Sequence, residues 1–484
     1  MAENEKQSAK TANDRLVVIP VARDIFSTVS SEPRKNYKKT SLAGCPEESV
    51  YVFSMWEDES ERSAYNVPYL FKANGEPWLE ANDYLMHQLA HRNPVERPTD
   101  ETRRKAGRLL DYALFCEREN LDWLDFSASR RSGRPTYRYF KSMCNDGKRS
   151  PAVINQYTGT VYDFYKYVSK FCHRSLDINR VDTVTMATIR YETARGMGAK
   201  DVEVRSQTKR KRPRSEIPIG YIREDGEDLR PLSTTQMRLF LNEISKPHWG
   251  VQERLIFQFA LYTGARKQTV LTLRLKHLRA FSEDKLRRNG TYVLEAGPGT
   301  GIDTKNAKSQ KLYVPRQLAE DIVVWANSPA AKSRRFKLRT FFEVDFPELK
   351  PLDEDDMYVF LSDQGNPYYM AKNDPRYPVV KSPPIGQVTD TLKRKIHRCL
   401  MGCDFPRDFS YHWLRATFAY QFYLSLQPLV DEGRMNVSDQ LGIVRERLHH
   451  ESVTTTENYL KLFSTLNERL GAQEEWEDKV FGSY

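Results

Sequence analysis

Three short strings in the C-terminal half of this chain constrain its fold more than anything else in it. They are Tyr262-Thr263-Gly264-Ala265-Arg266, Tyr411-His412-Trp413-Leu414-Arg415, and a stretch from Leu448-His449-His450 through Thr454 and Glu457 to Tyr459. Each sets chemically capable side chains in an apolar or turn-forming frame. Gly264 reads as a helix end just before Arg266, and Trp413, Leu414, Ala416 and Phe418 flank Arg415. Basic residues in such a frame point into a site more readily than surface arginines do. A fold for this chain must bring the three strings to one place.

Together they hold what a metal-free attack on a phosphodiester requires. Guanidinium stays charged and its planar fork can hold both nonbridging oxygens, which suits Arg266 and Arg415 as a phosphate clamp. Arg266 is expected at the start of a helix, where backbone amides also favour an anion. The Tyr459 phenol is the candidate nucleophile. One tyrosine among 26 says little alone; its register with the other strings carries the assignment. Thr454 and Glu457 fit a capping box that sets Tyr459 in the first turns of a short helix. His412, three residues before Arg415, shares its helical face and can take the tyrosine proton or bond a phosphoryl oxygen. His450 would donate to the phosphate.

The order and spacing of these strings resemble the tyrosine recombinase family, which includes phage integrases and Xer-type resolvases. The resemblance covers Leu232 to Leu462 well and Thr99 to Met197 more weakly. It implies a multidomain, mainly α protein with small β-sheets or hairpins: a helical core-binding domain that grips DNA, followed by a mixed α/β catalytic domain. Tyr459, Arg266, His412, Arg415 and His450 fall on the family's catalytic positions. The family also uses a general-acid lysine on a β-hairpin after the first arginine. Within Thr304-Lys305-Asn306-Ala307-Lys308, Lys305 fits best and Lys308 is the runner-up. The implied activity is site-specific recombination for a mobile element through a 3′-phosphotyrosine, without ATP, metal or other cofactor. The implied partners are duplex core sites, a homotetramer on two such sites, and accessory proteins. A type IB topoisomerase and a catalytically idle DNA-binding protein on the same fold are the rivals. Three departures stand out. His449 replaces the glycine that usually precedes the second histidine, Thr269 replaces an acidic residue three positions after Arg266, and the interval from Arg415 to His450 is long.

The remaining sequence is consistent with this. A chain of 484 residues suggests several domains. The expected division is residues 1–95 as an extension with a polar start, 96–198 as the helical domain, 199–230 as a basic linker, and 231–484 as the catalytic domain. A formal charge of +10 favours a polyanionic partner. No apolar run approaches the roughly 20 residues that span a bilayer, and Met1 to Asp14 is polar, so a cytoplasmic, nucleoid-associated protein is expected. Six scattered cysteines suit a reducing compartment. His397, Cys399 and Cys403 lie close together, but no second pair follows at zinc spacing.

Local patterns fill in the elements. Pro68 to Phe71 and Asn74-Gly75 read as a strand and turn, followed by a helix over Trp78 to Leu89. Ala106, Leu109, Leu110, Ala113 and Leu114 make one helical stripe; Ile154, Tyr157, Val161, Phe164, Tyr165 and Val168 make another, capped by Ser150-Pro151. Arg205 to Arg214 carries six basic residues in ten, including Lys209, Arg210, Lys211, Arg212 and Arg214. It is expected to cross the DNA backbone, although a nuclear localisation signal or a solvated linker has the same composition. Ser233 is the expected cap of a helix through Ile244. Arg334 to Asp356 reads as an insertion ending in acidic residues, and Tyr358 to Leu361 as a strand closed by Gly365-Asn366-Pro367. Leu462, Phe463, Leu466 and Leu470 give the tail an apolar face that docks on its own domain or on a neighbour.

Overall fold

The computed structural model describes residues 14–22, 64–90, 98–172, 175–193, 196–209, 220–224 and 226–449. Tyr459, His450, the Thr454–Glu457 box, the tail stripe and Arg210, Lys211, Arg212 and Arg214 lie outside the described residues. The chain divides into two units, Met1–Ser215 and Glu216–Tyr484. Both are mainly helical, with two-stranded antiparallel sheets.

The first unit is built around four helices. Strands β1 (Leu16–Ala22) and β2 (Ala64–Leu70) pair antiparallel, from Leu16 opposite Leu70 to Ala22 opposite Ala64. Helix α1 (Leu79–Ala90) follows, then α2 (Pro98–Arg118), α3 (Pro135–Asp146) and α4 (Pro151–Phe171). Ser150 caps α4 by accepting from the Val153 amide at 3.4 Å, and Pro151 occupies the first turn, where its missing N–H costs nothing. The α4 stripe forms as expected: Ile154, Val161, Phe164, Tyr165 and Val168 are buried against Leu109 and Tyr112 of α2. Leu70, Trp78, Tyr84 and Leu85 belong to the same core. The part of the N-terminal extension from β2 to α1 therefore shares the helical unit's interior, because its own strand pair is too small to enclose those aromatics.

A second strand pair corrects the expected start of the linker. Strands β3 (Val184–Thr193) and β4 (Gly196–Arg205) run in register from Val184 opposite Arg205 to Thr193 opposite Gly196. Residues 199–205 are thus half of a ribbon, since alternation through Val202 and Val204 suits a strand better than an open linker. Arg205 turns back onto α4, donating to the Thr158 carbonyl at 2.9 Å. The Lys209 backbone exchanges two hydrogen bonds with the Asn155 side chain, at 2.8 and 2.9 Å.

The second unit opens with a hairpin, β5 (Ile222–Glu224) and β6 (Glu227–Leu229), in which Glu224 faces Glu227 across a two-residue turn. Gly226 in that turn takes φ +87, the positive value that such hairpin turns need. Ser233 then caps α5 (Thr234–Ile244) in a full capping box with Gln236. Helix α6 (Val251–Thr263) ends at Gly264, which adopts φ +67. Helix α7 (Lys267–Leu271) starts at once, with Arg266 as its N-cap. Strands β7 (Thr291–Ala296) and β8 (Gln310–Pro315) form the next hairpin. After α8 (Arg316–Asn327), α9 (Pro329–Asp345) and α10 (Val388–Cys399) comes the central helix α11 (Trp413–Asp431), followed by α12 (Val437–Leu448). Trp413, Leu414, Ala416, Ala419 and Tyr420 bury α11 against α6 and α12.

The run Tyr358 to Leu361 does not form the expected strand. Only isolated bridges, Arg274 to Tyr358 and Leu361 to Pro367, touch it. Tyr358 and Leu361 join a satellite core with Leu338 and Phe342 of α9, Val359 and Phe360 enter the main core of the unit, and the Gln252 side chain bonds both the Leu361 amide and carbonyl. Backbone bonds to Leu273 and Leu275 hold the start of the run, and at Leu361 a side-chain amide takes the place of a ladder. The acidic end of the expected insertion is paired, with Lys276 to Asp356 at 2.8 Å and Arg339 to Glu354 at 2.6 Å.

Candidate active site

Gly264 fixes where Arg266 stands. Its left-handed backbone stops α6, and the turn brings Arg266 to the first turn of α7. Arg415 comes from the first turn of α11, with His412 as the residue before that helix. Lys305 lies in the connection between β7 and β8, where Asn306 and Ala307 take positive φ. These four side chains, together with Lys267, Lys393, Tyr411 and Ser410, line one cleft of about 560 Å³. Lys308 is not among its lining residues; its carbonyl accepts from the Thr304 hydroxyl at 2.5 Å and closes the loop.

The two guanidiniums meet on a group that the sequence reading missed. Arg266 Nη2 donates to Glu224 Oε1 at 2.6 Å, and Arg415 Nε donates to the same oxygen at 3.2 Å. Arg415 and Glu224 are only 3% and 5% exposed. Two backbone carbonyls complete the Arg415 setting: Nη1 donates to Gly264 O at 2.7 Å and Nη2 to Leu448 O at 2.5 Å. The signal for Glu224 was present in sequence. Glu224-Asp225-Gly226-Glu227 is an acidic string with a turn-forming glycine, set in the segment that follows the basic run.

Burial lowers the proton affinity of both histidines. Burial pushes His412 below its ordinary range, against the opposing pull of the Glu224 charge. Its Nδ1 lies 4.0 Å from Glu227 Oε2, while its Nε2 is buried with no partner among the described residues. An imidazole in this state can accept a proton. His449 takes the left-handed position that ends α12, with φ 51 and ψ 41, which explains why glycine is the usual residue there. Burial, aided by the Arg415 charge, pushes it down to about 4. Thr269 does not contact the arginines through an acid, but its hydroxyl bonds the Asp303 carbonyl at 3.1 Å and steadies the segment leading to Lys305.

The cysteine and histidine group takes a different form from the one weighed in the sequence. His397 bonds the Phe409 carbonyl at 3.2 Å, while Cys399 lies near His248 and Glu243. Glu243 is already engaged by Lys246 at 2.5 Å, the His248 ring at 3.0 Å and the Trp249 indole at 3.2 Å.

No family model and no curated protein matches this chain. Solved structures do. The Tn1549 transposon integrase in complex with transposon right end DNA is similar at 15% identity and a TM-score of 0.37, over 80% of this chain and 98% of that one. The same integrase with a circular intermediate DNA, CI5-DNA, gives 16% and 0.35, over 78% and 94%. XerA recombinase gives 14% and 0.29, over 81% and 98%. The chain resembles two recombinases of known structure. At such scores the likeness carries no functional weight; the side chains of the cleft do. No helix among the described residues is long and apolar enough to cross a membrane.

Proposed function

We propose that this chain is a tyrosine-type DNA strand transferase that recombines specific sites for a mobile element. The observation that carries the reading is the convergence of Arg266, Lys305, His412 and Arg415 on one cleft from three separate segments. In this reading the scissile phosphate enters that cleft and its nonbridging oxygens bind the two arginines. The Tyr459 phenolic oxygen attacks phosphorus, with its proton passing to His412. The bond to the 5′ oxygen breaks, Lys305 protonates that oxygen, and a 3′-phosphotyrosine and a free 5′ hydroxyl remain. Attack by a 5′ hydroxyl from the partner duplex reverses the step, so the ester energy is kept and no ATP is needed. His450 donates to the phosphate. Two rounds of exchange through a Holliday junction need four protomers on two duplexes, with Lys209, Arg210, Lys211, Arg212 and Arg214 on the DNA backbone. Such a protein works in the cytoplasm, on the nucleoid.

A nicked suicide substrate, run on a denaturing gel in excess EDTA, tests this. The wild type should form a covalent adduct and Tyr459→Phe should form none while binding the same DNA. An adduct that persists in Tyr459→Phe, or a strict need for a divalent ion, sinks the mechanism. Relaxation of supercoiled plasmid without site preference would point to a topoisomerase instead.

A further inference from the structure

We propose that Glu224 is the positioning residue of this site, one carboxylate oxygen that fixes both phosphate-binding arginines. The proposal rests on the strand-transferase reading and adds to it a group from outside the three sequence strings. One oxygen, Glu224 Oε1, accepts from Arg266 Nη2 at 2.6 Å and from Arg415 Nε at 3.2 Å.

Two roles are open to a carboxylate placed there. It could stand where the phosphate must bind, and so obstruct the site. Or it could hold the arginines from the side away from the DNA. The cleft decides between them. Arg266 and Arg415 line it, as do Glu227 and Asp228 from the same hairpin, but Glu224 does not. Its side chain is only 5% exposed.

The hairpin that carries Glu224 is also fixed in place. Ile222 and Leu229 are buried in the core of the second unit. The Trp413 indole donates to the Asp228 carbonyl at 3.2 Å, and the Leu232 amide donates to the Thr417 hydroxyl at 3.0 Å. Both partners lie on α11, the helix of Arg415. Arg223 and Asp228 pair across the hairpin through two bonds, at 2.6 and 2.9 Å. Glu224 is therefore referenced to the same helix as one arginine and reaches across to the other. Its negative charge offsets part of the repulsion between the two cations, and its fixed oxygen sets their spacing before DNA arrives. Thr269, the residue one turn after Arg266, is occupied with the Asp303 backbone and leaves this task to the hairpin.

The test uses the full-length chain, a suicide duplex substrate, and single-turnover rates at saturating DNA alongside Kd. Glu224→Gln keeps the shape and one acceptor but loses the charge. It should cleave at least about tenfold more slowly, with Kd changed less than about threefold. Glu224→Asp keeps the charge and withdraws the oxygen by one methylene, and it should also lose about tenfold. Glu224→Ala removes the acceptor from both arginines, one of them buried, so it serves only to extend the series if it folds. In an Arg266→Ala background, Glu224→Gln should cost less than in the wild type, because one of its two partners is already gone. Wild-type rates in both Gln and Asp variants overturn the proposal. Faster cleavage with tighter binding makes Glu224 an obstruction and overturns it as well. Absence of a Tyr459 adduct in the wild type would be a failure of the strand-transferase reading, and it is read from a separate lane.

Discussion

Replacing Gly264 by alanine should damage both the fold and the cleft, through two separable costs. Gly264 has φ +67, a conformation that costs an alanine about 1–2 kcal/mol. An added Cβ would also lie 2.5 Å from Phe418 Cδ1 and 3.0 Å from Cε1, well inside contact distance. Overpacking of this kind costs about 1–3 kcal/mol. The sum of about 2–5 kcal/mol should lower the melting temperature by about 5–15 °C for a unit of this size. Calorimetry of the full-length protein reads this directly. Phe418→Leu shrinks the obstructing ring, so Gly264→Ala should be less harmful in that background, by the overpacking part alone. The backbone part should remain. Because the Gly264 carbonyl receives Arg415 Nη1 at 2.7 Å, single-turnover cleavage should also fall at temperatures where the variant is folded. A Gly264→Ala protein that melts and cleaves like the wild type would refute the assigned turn and its coupling to Arg415.

His449→Gly should stabilise the protein by about 1 kcal/mol at neutral pH, since glycine suits the left-handed end of α12. It should also flatten the pH dependence. The wild-type imidazole is protonated in the unfolded chain below about 6.5 but resists protonation in the folded chain until about 4. Wild-type stability should therefore drop as pH falls through that window, and the gain from glycine should be larger at pH 5 than at pH 7.5 in urea melts. Lys305→Ala should cripple cleavage of normal DNA and spare a substrate with a bridging 5′ phosphorothiolate, whose sulfur leaves without a proton. Selective rescue of Lys308→Ala instead would move the acid to Lys308. Neutralising Lys209, Arg210, Lys211 and Arg212 should weaken binding to all DNA and flatten its salt dependence, by up to ~0.9 in slope for each phosphate no longer neutralised. A wild-type slope would show that the run does not touch the backbone.

The helices of both units could be read from sequence because local chemistry dictates them. Ser150-Pro151, Ser233 and Thr263-Gly264 mark helix boundaries by hydrogen-bonding rules that need no tertiary context. The gathering of Arg266, Lys305, His412 and Arg415 was suggested by order and flanking residues alone. Glu224 was not seen, because its role depends on a hairpin folding under two arginines, one 42 and the other 191 residues away. Tyr358 to Leu361 misled for a related reason. An apolar run reads the same whether its backbone meets a strand or, as here, the Gln252 side chain. The early part of the linker misled because a basic composition overshadowed the alternation of Val202 and Val204.

Arg415 also closes the ends of two helices. Its guanidinium takes the Gly264 carbonyl at the end of α6 and the Leu448 carbonyl at the end of α12, where helix dipoles favour a cation. The residue read as gripping the phosphate is thus a tie rod of the domain. Loss of activity in Arg415→Ala cannot by itself be assigned to chemistry, because the same change unfastens both helices. The tie also constrains how the chain can drift in sequence: a descendant that abandoned DNA cleavage could discard Tyr459 freely, yet would still need an arginine at position 415 to stay folded. Of the residues in the three strings, Arg415 is therefore the poorest witness to function and the best witness to the architecture.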